Sequence, residues 1–77
     1  MKYLITNLKL WLNKNDKLGE ILTLSDNSFW HIDVQGKLKT SLWLVVDEIK
    51  VSQKDMIYYL TNVKKKETVP AQFIEPK

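Results

Sequence analysis

The chain has no cysteine and no arginine, one histidine, two glycines and two prolines. Without cysteine, disulfides, zinc ribbons, thiolate nucleophiles and iron–sulfur ligation are excluded, and a reducing, cytoplasmic setting is expected. The single histidine, His31, rules out a histidine-rich metal site, and a Ser-His-Asp set would have to use it. Its position between Trp30 and Ile32 reads instead as the solvated face of a strand. Gly19 and Gly36 lie too far apart to form a phosphate-cradling loop. The lack of arginine removes the planar fork that reads guanine edges and phosphates, and leaves the positive charge to twelve lysines. No run approaches the roughly 20 apolar residues of a membrane span. The start from Met1 to Leu12 is interrupted by Thr6, Asn7 and Lys9, so it reads as neither a signal peptide nor a span.

The carboxylates Asp16, Glu20, Asp26, Asp33, Asp47 and Glu48 fall in no recognisable acid–base frame with a nucleophile beside them. The expectation is therefore a chain that is not an enzyme and has no cofactor and no metal site.

What remains is 77 residues, 44% of them hydrophobic, with three tryptophans, three tyrosines and two phenylalanines. That is enough for one folded domain over 1–77, although a chain of this size buries only about 60% of its unfolded surface.

The hydrophobic pattern is mostly of period two. Leu4, Thr6, Leu8, Leu10 and Leu12 alternate with Tyr3, Ile5, Asn7, Lys9 and Trp11, which predicts a strand over 3–12. Asn13 to Lys17 reads as a reversal, and Glu20 to Leu24 as a second strand. Ser25-Asp26-Asn27-Ser28 is a loop by composition, since each side chain can bond its own backbone. Trp30, Ile32 and Val34 then alternate with His31 and Asp33. Gln35-Gly36 suggests a tight turn, and Leu38 to Val46 a returning strand.

Residues 52–66 have two readings. Ser52 and Asp55 resemble a capping box, with Met56, Leu60 and Val63 on one helix face and Lys64, Lys65 and Lys66 at its negative end. Against this, Ile57-Tyr58-Tyr59-Leu60-Thr61-Asn62-Val63 is β-branched and aromatic, which favours a strand with the lysines at a hairpin tip. Pro70 is expected to open a tight turn, and Phe73-Ile74 to start a last short strand.

Tyr58-Tyr59-Leu60-Thr61-Asn62 and Val69-Pro70-Ala71-Gln72-Phe73-Ile74-Glu75 resemble the closing half of a Src-homology-3 domain. There an aromatic pair opens a strand, and a Pro-x-x-Tyr turn follows the distal hairpin. A second register, over Leu18 to Ser25 and Phe29 to Lys37, is similar to the middle of bacterial members of that family; the two registers exclude one another. The resemblance implies a mainly β, single-domain barrel of five to six short strands. It carries Tyr58 and Pro70 over as contact residues, with Phe73 standing where the family has tyrosine. The alternative is an α+β fold with a helix near 53–66 packed on an N-terminal antiparallel sheet.

Three functional expectations follow. The first is a protein–protein interaction module that binds its partner through exposed aromatics, with Tyr58, Pro70, Phe73 and Trp30 as the contact residues. The second is a nucleic-acid-binding barrel in which Lys64, Lys65 and Lys66 make phosphate or acidic contacts beside an exposed tryptophan. The third is a small phage or mobile-element protein that inhibits a host protein. None of these involves a membrane.

Overall fold

The computed structural model describes residues 3–6 and 9–75. Asn7 and Leu8, part of the predicted first strand, lie outside the described residues. The expected mainly β architecture is present. Its elements are β1 (Leu10–Asp16), β2 (Ile21–Leu24), β3 (Phe29–His31), α1 (Val34–Thr40), β4 (Glu48–Lys54), β5 (Ile57–Asn62) and β6 (Glu67–Ile74). The strands form two antiparallel meanders that close on each other in the order β1-β2-β3-β6-β5-β4. In each meander the fourth neighbour returns by a long connection, the Greek-key way of removing free sheet edges. Closure between β1 and β4 rests on two register pairs, Leu10 with Ile49 and Trp11 with Glu48.

Antiparallel pairing sorts the connections onto two ends. The 17–20 turn, α1, the 41–47 loop and the 63–66 turn share one end, the helix end. The 25–28 loop, the 55–56 turn and Tyr3 share the other, the aromatic end. Leu12, Leu22, Leu24, Trp30, Ile32, Ile49, Leu60 and Val69 fill the interior, with Leu10 and Trp43.

Three segments differ from the sequence reading, each for a local reason. The first strand begins at Leu10 and runs through the polar stretch read as a reversal. The register shifts between Leu12 and Lys14, and this bulge moves the inward phase from Leu12 to Asn15. The Asn15 amide then donates to the carbonyls of Thr40 and Trp43, both at 2.9 Å.

The predicted turn at Gln35-Gly36 and the returning strand from Leu38 are instead helix and loop. Asp33 caps α1 by accepting from the Gly36 N–H at 2.8 Å. Gly36 is needed for proximity, since a Cβ there would stand 2.5 Å from Ile32 Cγ2. The helix buries Gly36 and Thr40, and Trp43 follows beneath the next turn. These positions are spaced i, i+4, i+7, but the two within the helix are a small and a polar residue that no hydrophobic pattern registers.

The tight turn at Pro70 does not form. Pro70 lies within β6 opposite Tyr59, on the stretch where β3 provides no partner, so its missing N–H interrupts no second ladder. The helix expected as an alternative near 53–66 is absent as well. Lys54 pairs with Ile57 across the two-residue turn Asp55-Met56. That turn has φ of 52° and 67° at its two residues, the type I′ geometry that matches strand twist.

Candidate functional site: the aromatic end of the barrel

Tyr58 and Phe73 point inward from β5 and β6 near the ends of these strands, where the barrel interior runs out of aliphatic residues. Beneath them lies Trp30, with no exposed surface. Its ring centroid is 5.4 Å from Tyr58 and 5.3 Å from Phe73. Tyr3 comes in from outside the strands and meets Trp30 edge-on at 5.0 Å. It also exchanges hydrogen bonds with Tyr58: the Tyr3 N–H donates to the Tyr58 hydroxyl at 3.2 Å, and that hydroxyl donates to the Tyr3 carbonyl at 3.3 Å. Phe73 is therefore held in place by packing, and Tyr58 by packing and hydrogen bonds, which lowers the entropy they would lose on contacting a ligand.

An open groove of about 560 Å³ runs beside this pair, and Gln53, Met56, Ile57, Ala71, Gln72 and Glu75 complete its walls. Met56 is 84% exposed at the tip of the β4–β5 hairpin. Its φ of 67° is one that glycine or asparagine adopts at lower cost. Phe73 also forms the wall of a second depression of about 200 Å³, bounded by Tyr3, Asp26 and Phe29.

A polar chain underlies the site. The Trp30 indole N–H donates to Ser28 Oγ at 2.9 Å, and Ser28 Oγ donates to Asp26 Oδ1 at 2.6 Å. The Tyr3 hydroxyl donates to the other Asp26 oxygen. Burial raises the Asp26 pKa, but the hydrogen bonds from Ser28 and Tyr3 outweigh it and hold the carboxyl below its ordinary value. Burial first, and then the adjacent carboxylate, push the Tyr3 phenol well up. The loop read from its composition as 25–28 is thus the clamp that fixes Tyr3 over the core.

Of the expected contact residues, Tyr58, Phe73 and Trp30 are brought together, but Trp30 has no surface to offer a partner, and Pro70 lies elsewhere. Trp30 is a correction: it is wholly interior, because its alternation with His31 places it on the inward face of β3. Pro70 lies apart from the pair, over shallow depressions shared with His31 and Asp33 on one side and with Lys39 and Thr68 on the other. Lys64, Lys65 and Lys66 are exposed in the turn at the helix end, across the barrel from the aromatic groove. His31 is half-buried, with Nε2 3.9 Å from Glu20.

Met56, Ile57 and Tyr3 were missed. The signal for the first two was Asp55-Met56, a two-residue spacer between alternating segments that lacks the usual glycine. Tyr3 gave no signal, since its role arises from tertiary contacts alone. Among the described residues no group of three or more histidines or carboxylates could hold a metal ion. No helix among them is long and apolar enough to cross a membrane.

Comparison of the chain with family models, with curated proteins and with solved structures finds no match.

Proposed function

We propose that this chain is a non-enzymatic protein-binding module that takes an apolar segment of its partner into the groove between Tyr58 and Phe73. The observation that carries the reading is the pairing of two locked aromatics with two exposed apolar side chains, the adaptable Met56 and the stiffer Ile57, along one open groove. Rigid aromatic anchors concentrate binding energy. The unbranched thioether of Met56 adjusts to the shape of what it meets. Met56 also supports the reading through its backbone, because an αL methionine costs about 1 kcal/mol and its exposed side chain contributes nothing to the core. The reading retains Tyr58 and Phe73 from the Src-homology-3 resemblance and gives up Pro70 and Trp30.

A random-peptide display library panned on the chain tests it. Selected peptides should lose at least tenfold in capture by Met56→Glu and by Ile57→Glu, two exposed positions, with circular dichroism unchanged. Capture indifferent to both substitutions removes the groove from the function. Tryptophan quenching by oligonucleotides at low but not high salt would instead move the function to Lys64, Lys65 and Lys66.

A further inference from the structure

Tyr3 is held by the barrel as a ligand is held. Segment 3–6 belongs to no strand or helix. Leu4 is 80% and Ile5 37% exposed, and among the described residues Leu4, Ile5 and Thr6 make no hydrogen bond. Tyr3 alone is tied down, through three kinds of contact. Its ring centroid lies 5.0 Å from Trp30, 5.4 Å from Phe73 and 6.3 Å from Tyr58. Its hydroxyl donates to Asp26 Oδ2. Its own N–H and C=O both meet one group, the Tyr58 hydroxyl, at 3.2 and 3.3 Å. Ring burial alone accounts for a core aromatic. Contacts to the phenol and to both backbone groups of the same residue are how a tyrosine on a chain is read.

The groups that hold Tyr3 have partners of their own in the barrel. Trp30 is wholly buried, and its indole N–H donates to Ser28 Oγ at 2.9 Å. Asp26 Oδ1 accepts from the Ser28 N–H at 3.1 Å and from Ser28 Oγ at 2.6 Å, which leaves Oδ2 to the Tyr3 phenol. The loop behind is closed by bonds from Leu24 N–H to Ser28 O at 3.0 Å and from Asn27 N–H to Leu24 O at 2.8 Å. Tyr58 and Phe73 stand on β5 and β6, each packed against Trp30. The receptor is thus built from residues 26–30, β5 and β6, and its occupant comes from a segment outside all of them. Past the Tyr3 ring the depression of about 200 Å³ stays open beside Asn27, Phe29 and Ile74, so a flanking side chain has room.

We propose that this is a tyrosine-binding site filled in cis by Tyr3, and that a tyrosine on an extended segment of a partner protein takes its place. Tyr3 itself sets the chemistry of the occupant: a ring for the three aromatic walls, a phenol O–H for the Asp26 carboxylate, and one backbone N–H and C=O for the Tyr58 hydroxyl. Phenylalanine lacks the donor for Asp26. O-Phosphotyrosine is excluded, because its phosphate would face that carboxylate. The tether gives Tyr3 an effective concentration on the order of millimolar, so a partner must add contacts beyond its tyrosine to displace it. The inference rests on the protein-binding reading only for the existence of a protein partner. Met56 and Ile57 do not line the tyrosine site, so the site and the groove can fail separately.

Tyr3→Ala in the full chain vacates the site, and N-acetyl-tyrosinamide, which carries the ring, the phenol and both backbone groups, is the probe. On titration the Trp30 indole N–H resonance should shift and saturate at millimolar probe, and the melting temperature should rise. The wild-type chain should need at least tenfold more probe, because Tyr3 competes. N-acetyl-phenylalaninamide should bind at least fivefold more weakly, and N-acetyl-O-phosphotyrosinamide should give no shift. Adding Met56→Glu to Tyr3→Ala should change none of this, which separates the site from the groove. Should Tyr3→Ala not fold, Tyr3→Leu keeps an apolar cover on Trp30 and carries the same titration. Peptides captured by the wild-type chain should contain tyrosine, and the vacated variant should capture them more tightly. A folded variant whose Trp30 signal ignores the probe overturns the proposal. So do equal affinities of wild type and variant, equal binding of the phenylalanine or phosphotyrosine probe, and captured peptides that lack tyrosine.

Discussion

Tyr3 meets Trp30 edge-on, with ring centroids 5.0 Å apart and planes inclined at 71°, so a residue outside every strand completes the core at the aromatic end. Asp26 and Tyr58 hold it there through its hydroxyl and its backbone. Tyr3→Phe, which deletes one hydrogen bond to a charged acceptor, should cost about 1–2 kcal/mol in urea denaturation. Tyr3→Ala also uncovers Trp30 and should cost about 2–4 kcal/mol, with a red shift of tryptophan emission. An unchanged emission maximum would show that Trp30 is shielded without Tyr3.

The acid limb of stability should belong to Asp26 and Asp47. Burial raises the pKa of Asp47, but hydrogen bonds from Leu44 and Asn62 and the charges of Lys65 and Lys64 bring it below its ordinary value. A carboxyl depressed in the folded state stabilises above its unfolded pKa, and that contribution is lost as pH falls through the folded one. The urea midpoint should hold near neutrality and drop below about pH 4. Asp47→Asn should lower the neutral midpoint and flatten the acid decline. Tyr3 has the opposite sign: its raised phenol contributes fully below about pH 10, and the contribution fades above that as the unfolded tyrosine ionises.

Gly36 permits the close approach of α1 to Ile32. Gly36→Ala should cost about 1–3 kcal/mol by overpacking, despite alanine's better helix propensity. Removing the cap with Asp33→Ala should cost about 1 kcal/mol. A stabilising Gly36→Ala in thermal melts would mean that the helix stands further from the barrel than described.

Stability and binding should part company at the β4–β5 hairpin. Met56→Gly turns Asp55-Met56 into the Asp-Gly pair favoured in type I′ turns and should stabilise by up to about 1 kcal/mol. The same change removes a wall of the groove, so peptide capture should weaken as the melting temperature rises. If both rise together, the methionine has no part in binding.

The legible parts of the fold were those where burial and local pattern agree. Ile21–Leu24 and Ile57–Asn62 are β-rich runs set off by polar residues, and both are strands. The three lysines do sit in the turn between β5 and β6. The helix was hidden because its inward face is Gly36 and Thr40 while its leucine and valine face out, a pattern that reads locally as an alternating strand. The first strand was misplaced because Asn15, polar and turn-prone, satisfies from inside the barrel the carbonyl of Thr40 at the end of α1 and that of Trp43 in the loop beyond it. At the candidate site Tyr58 and Phe73 were named as contact residues one by one, and their common packing against Trp30 was not foreseen. The burial of Trp30 was not foreseen either, since an exposed and an interior tryptophan look alike in sequence.

The barrel is not equally strong around its circumference. β4 and β5 are joined by six register pairs from Ile49 to Lys54, whereas β1 and β4 meet through two, extended by the bonds of Leu12 N–H to Asp47 O at 2.8 Å and of Val46 N–H to Leu12 O at 2.7 Å. Thermal fluctuation should part this seam first, and hydrogen exchange at Leu12 and Val46 should then report partial openings of lower free energy than exchange at Leu60. The cylinder is then better pictured as a sheet with a clasp, and residues 44–47 are the clasp: whatever grips or releases that loop sets how often the sheet unrolls.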